Sequence, residues 1–180
     1  MEIFKIVIAT IFFAACSSIS SAQDTINWRP DYKLKWEDFQ GKPDTTVIAL
    51  AVCASEVTYQ YKIVDGKLTY TINCFFDKKR SWIKYNMTVI TEHEQGHFDI
   101  SKLFSLKLEE KFKNYKISNP ASVYGDLQRI YSSILYVRTQ MHNKYDTETQ
   151  STVSDELQKK FIKKIRDQIR DLEKQMRFNQ

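Results

Sequence analysis

Two of the chain's three histidines, His93 and His97, stand four residues apart in the run His93-Glu94-Gln95-Gly96-His97. That spacing constrains the fold more than any other feature, because it puts both side chains on one face of a helix. The surrounding residues agree. Val89, Ile90, His93, His97, Ile100, Phe104 and Leu108 recur at three- and four-residue steps and predict a helix over 86–114. Both imidazoles fall on its apolar stripe, where a buried polar group is costly without a partner. Two imidazoles so placed can reach one tetrahedral Zn²⁺ at about 2.0–2.1 Å. Glu94, one step round the helix, can take a proton from a water that the metal activates for attack on a carbonyl. A catalytic zinc site needs a third protein ligand and one open position. His142, Asp146 and Glu148 are the candidates, all near the end of a second helix whose antiparallel return would bring them back to His93 and His97.

The rest of the chain runs from strands to helices. Val57, Tyr59, Tyr61 and Ile63 alternate with polar residues, as do Leu68, Tyr70, Ile72 and Cys74. Asp65-Gly66 between them reads as a two-residue turn pairing Val64 with Lys67 and, further out, Val57 with Cys74. Thr46 to Cys53 is apolar and β-branched and predicts a buried strand. After the histidine helix, Asn119-Pro120 marks a break and a start. Leu127, Ile130, Ile134 and Met141 then form a second helical stripe, expected to end in the polar stretch 146–151. A third helix from Ser154 carries Leu157, Phe161, Ile165, Ile169, Leu172 and Met176. The fold class is therefore α+β, an antiparallel hairpin followed by three helices. At 180 residues, with 42% hydrophobic and 27% charged side chains, the composition is that of an ordinary globular chain and excludes collagen-like and low-complexity classes.

Residues 6–16 form an apolar run preceded by Lys5, too short to cross a bilayer and suited to a secretory leader. Ser20-Ser21-Ala22 supplies the small residues of a cleavage site. The expected organisation is a signal peptide over 1–22 and one domain over 23–180, exported to the periplasm or secreted. Lipidation at Cys16 is the weaker alternative, because Phe13 fits such a site poorly. Cleavage removes Glu2 and Lys5 and leaves the net charge at +5. It also leaves Cys53 and Cys74, and two thiols in an exported chain predict a disulfide. The hairpin register keeps them too far apart to bridge unless the chain bends near Ala54-Ser55.

Four segments resemble a bacterial family of predicted secreted zinc-dependent proteases catalogued as a domain of unknown function. Leu34-Lys35-Trp36-Glu37-Asp38-Phe39-Gln40-Gly41-Lys42-Pro43 is similar to its opening L-x-W-x-D-F-x-G-x-P signature. Phe76-Asp77 through Ser81-Trp82 resembles its F-D…S-W segment, and HEQGHFDI over 93–100 its metal motif. Tyr145-Asp146-Thr147-Glu148-Thr149, with Gln158 and Phe161, resembles its Y-D-x-E-T…Q-x-x-W ending. The family places a histidine two residues after the threonine, where this chain has Ser151. The resemblance implies a zincin-like metal helix and selects Asp146, which matches the motif, over His142, which does not.

The expected activity is peptide-bond hydrolysis by a zinc metallopeptidase, with His93, His97 and Asp146 on the metal and Glu94 as general base. Its partner would be a peptide or protein substrate, added as a strand to an exposed sheet edge. Tyr145 is a candidate oxyanion donor. The alternative is a catalytically degenerate, zinc-stabilised envelope protein, which Ser151 motivates. Lys159, Lys160, Lys163, Lys164 and Arg166 on the third helix give a basic face for peripheral contact with an anionic envelope surface. A basic excess this modest does not call for nucleic acid.

Overall fold

The computed structural model describes residues 24–150 and 155–178. The leader over 1–22, Cys16 and Ser151 lie outside the described residues. Strand β1 (Thr25–Asn27) is followed by a 3₁₀ turn at Trp36–Asp38, then β2 (Ala51–Val52), β3 (Ser55–Val64), β4 (Lys67–Asp77) and β5 (Trp82–Ile83). The helices are α1 (Thr88–Asn114), α2 (Val123–Gln150) and α3 (Asp155–Phe178), with a 3₁₀ turn at Pro120–Ser122 before α2. The fold is α+β, as the order of patterns indicates. No described helix is long and apolar enough to cross a membrane.

The hairpin forms in the expected register, with Val64 opposite Lys67 and Val57 opposite Cys74. Asp65 and Gly66 both take positive φ, at 50° and 72°, the conformation that a two-residue turn between twisted strands requires. β1 pairs antiparallel with the other edge of β4, giving the order β1-β4-β3. One face of this sheet packs on α1, where Phe112 meets the Tyr59 and Tyr70 rings edge-on at 5.1 and 5.4 Å. α1 lies between the sheet and the other two helices. Ile100, Leu103, Phe104, Leu108 and Phe112 fill the larger core with Leu127 of α2 and Ile165 and Ile169 of α3. Phe98 and Ile90 join a smaller core with Leu34, Phe39 and Phe76.

Two expectations are corrected. Thr46 to Cys53 is not a buried strand. Only Ala51–Val52 is strand, paired with β5, while Ile48 is 97% exposed and Val47, Leu50 and Val52 are exposed with it. The second helix ends within the polar stretch, as expected, running through Gln150 with Tyr145 and Thr149 buried on its inner face. The chain does bend between β2 and β3, yet Cys53 and Cys74 remain free thiols. Cys53 lines a cleft beside Glu94, whereas Cys74 stays in register with Val57 on the sheet. Burial pushes both thiols up, Cys74 to about 12.

The lead-in is clamped to the β4–β5 turn. Asp38 accepts from the Tyr32 hydroxyl at 2.7 Å and the Lys35 amide at 2.9 Å, and Gly41 N–H donates to Ser81 O at 2.8 Å. The buried Ser81 hydroxyl accepts from Ala54 N–H at 2.9 Å and donates to Asp77 O at 2.6 Å, which pins the break between β2 and β3. Asp99, fully buried on α1, accepts from Trp28 Nε1 and Gln95 Nε2, each at 2.8 Å, and pairs with Arg166 Nε of α3 at 2.6 Å. Arg166 is thus turned inward and is not part of the basic face expected of α3. Asp99→Ala leaves that cation half-buried without its partner, so unfolding in urea is expected to show a loss of about 3 kcal/mol. A loss below 1 kcal/mol would remove Asp99 as the tie between α1 and α3.

Candidate metal centre

His93 and His97 lie near the start of α1, and Asp146 lies near the end of α2, 53 residues after His93. The antiparallel return of α2 along α1 brings the three together. Asp146 Oδ1 is 3.2 Å from His93 Nε2 and 3.0 Å from His97 Nε2, and the three ligand atoms all fall within 4.8 Å of one another. Tetrahedral bonds of about 2.0–2.1 Å place neighbouring ligand atoms about 3.3 Å apart, so the cluster has the dimensions of a zinc triad with a fourth side open.

The outward nitrogens are also engaged. His93 Nδ1 lies 3.3 Å from the Thr149 hydroxyl, which itself donates to Tyr145 O at 2.7 Å. His97 Nδ1 lies 2.9 Å from His142 Nδ1. Burial, with the nearby His97 and Arg138, lowers the His142 pKa to about 3, so this imidazole is neutral and can accept from a protonated His97 Nδ1. If both histidines carry their proton on Nδ1, two Nε2 lone pairs and a carboxylate oxygen face one another. A cation reconciles that arrangement. Burial opposes ionisation of Asp146, but the two imidazoles beside it outweigh that and hold the carboxyl well below the usual carboxylate range.

Glu94 faces the same space. Its carboxyl is buried, and that burial raises its pKa against the pull of His97 and His93. The Cys53 backbone N–H donates to it and ties the end of β2 to the helix. Glu148, the remaining third-ligand candidate, points to solvent and pairs with Lys144 at 3.6 Å. His142 sits behind His97, not among the three converging atoms.

Tyr145 is not an oxyanion donor in this arrangement. It is fully buried, stacked on His93 at 4.7 Å and edge-on to His97 at 5.1 Å, with Phe161 at 4.9 Å. Its hydroxyl lies against Gly96, where a Cβ would stand 2.3 Å from it. Gly96 therefore serves close packing of α2 on α1.

The triad and Glu94 open into a cleft of about 870 Å³. Residues 48–53 form one side, and Arg138, one helical turn before His142 on α2, forms another. The sequence reading missed Arg138. Its signal was the spacing 138, 142, 146, a single helical face that already carried two candidate ligands. No protein family, curated protein or solved structure matches the chain, so the reading of this centre rests on its own geometry.

Proposed function

We propose that the protein is an exported zinc-dependent peptidase of the kind its motifs resemble. The observation that carries the reading is the convergence of His93 Nε2, His97 Nε2 and Asp146 Oδ1 beside the buried Glu94 carboxyl at the floor of an open cleft. The donor set suits the metal: two imidazole nitrogens and one carboxylate, each imidazole oriented through its other nitrogen. Bound there, zinc would acidify water and polarise a carbonyl.

The chain's own residues supply the rest. Glu94 takes the proton of the attacking water and returns it to the leaving amine, and its raised pKa suits both halves of that exchange. The Cys53 amide holds the Glu94 carboxylate in place. His142 and Thr149 hold the two imidazoles in the orientation that keeps Nε2 inward. A substrate in extended form has two surfaces to use: the β2 strand, which among the described residues pairs with β5 alone, and the exposed apolar side chains of Val47, Ile48 and Leu50.

The test is metal content and hydrolysis measured together. Protein purified without chelator is expected to hold about one zinc per chain and to cleave casein. Chelation should stop cleavage and added zinc restore it, and His97→Ala should lose both metal and activity. A folded protein that takes up no zinc would overturn the reading. Stoichiometric zinc without cleavage of any protein substrate would favour the zinc-stabilised, catalytically degenerate alternative.

A further inference from the structure

Arg138 is the one fixed cation among the residues lining the cleft, and it has no partner there. Its Nε is shut off from solvent and makes no hydrogen bond, and no carboxylate among the described residues forms an ion pair with it. The other basic groups of the fold are differently placed. Arg166 is engaged by Asp99, Lys163 by Asp167 and Lys78 by Asp38. A guanidinium normally meets its five donors with a carboxylate, backbone carbonyls or water. Leaving a buried N–H unmet is costly, and each such exception in a folded chain calls for an explanation, a functional role or an ordered water or ion among them.

Its surroundings say which ligand. Arg138 lines the same cleft as the metal cluster, with His142 one turn further along α2 and Cys53 at the β2–β3 break. The two carboxylates in the cleft, Glu94 and Asp146, are engaged by Cys53 N–H and by the imidazoles. Arg138 precedes Asp146 by two helical turns, about 12 Å along the axis. That matches roughly three to four residues of extended peptide.

We propose that Arg138 receives a carboxylate of the bound peptide, fixing its position along the cleft relative to the bond that is cut. The inference rests on the peptidase reading for the identity of the ligand, and on the unpartnered guanidinium for its charge. A planar guanidinium binds a carboxylate through two parallel hydrogen bonds, which gives direction as well as attraction. The carboxylate could be the C-terminus of a short peptide or an Asp or Glu side chain within a longer one.

The experiment compares three fluorescent N-acetylated hexapeptides of apolar sequence on zinc-loaded Glu94→Gln protein, read by anisotropy. One ends in a free carboxylate, one is amidated and contains a single Glu, and one is amidated with no acid. At least one acid-bearing probe is expected to bind about tenfold or more tighter than the neutral probe. The stronger of the two identifies the source of the carboxylate. Arg138→Met should erase the preference, and Arg138→Lys should keep part of it. Equal binding of all three probes, no binding of any, or a preference that survives Arg138→Met would overturn the assignment. Should Arg138→Met fail to fold, Arg138→Lys decides: a preference it leaves undiminished would overturn the assignment. Casein cleavage by protein with Glu94 intact separates the two readings. Cleavage with no acid preference removes only the role of Arg138, whereas an Arg138-dependent preference without cleavage removes the peptidase.

Discussion

Glu94→Gln is expected to keep one zinc per chain while lowering casein hydrolysis by about 10²–10⁴-fold. Gln has the shape of Glu, and its carbonyl can still accept the Cys53 N–H that ties β2 to α1. It cannot take a proton from water or return one to an amine. The metal should be unaffected, because Glu94 is not among the three converging ligands. Stability should not fall either. Burial disfavours the ionised carboxyl, and a neutral amide removes that penalty. The three measurements are metal content, proteolysis and melting temperature. Unchanged proteolysis would take Glu94 out of the mechanism, and loss of zinc would make it a ligand.

Gly96→Ala should be strongly damaging. Its Cβ would stand 2.3 Å from Tyr145 Oη, 2.5 Å from Cζ and 2.7 Å from Cε1, all inside contact distance. The ring has nowhere to retreat, held as it is between His93, His97 and Phe161. Relief requires α2 to move off α1, and Asp146, the next residue, moves with it. A loss of about 2–3 kcal/mol in chemical denaturation is expected, together with weaker zinc retention under chelator competition. Gly125→Ala is the internal comparison. There the new Cβ meets only Arg129 Nη1 at 3.8 Å on an open helix face, so a gain of about 0.5–1 kcal/mol is expected. Gly96→Ala melting like the unaltered protein would show that the two helices are not locked at this point.

What could be read from residues alone follows the strength of each periodic signal. Asp65-Gly66 sets the hairpin register because the strand period is two and the turn admits only residues that tolerate positive φ. α1 was legible from its stripe, and the pairing of His93 with His97 follows from that helix alone. The choice among His142, Asp146 and Glu148 depends on how α2 is rotated about its axis, which its own weak stripe does not determine. Tyr145 and Thr149 settle the rotation by burying themselves against α1, which sends Glu148 to solvent. The run from Thr46 to Cys53 misled because hydropathy reports what a side chain prefers, not whether anything covers it. Ile48 and Leu50 stand beside a cleft and remain uncovered. The disulfide argument rested on compartment, but the bend carries Cys53 to the cleft while Cys74 stays on the sheet opposite Val57.

The two halves of the cluster meet at the open end of a helical hairpin but lie 53 residues apart along the chain. A cation joining them therefore acts as a removable cross-link. In a chain-entropy picture, closing a loop of that length lowers the conformational freedom of the unfolded chain by about 4 kcal/mol. On the proposed reading of an exported zinc peptidase, metal supply would thus govern how long the chain survives as well as whether it works. A molecule stripped of its ion would fray first at the end of α2, exposing to its neighbours the very kind of backbone that such an enzyme cuts. Scarcity of metal would then remove idle copies, and the active population would track the ion.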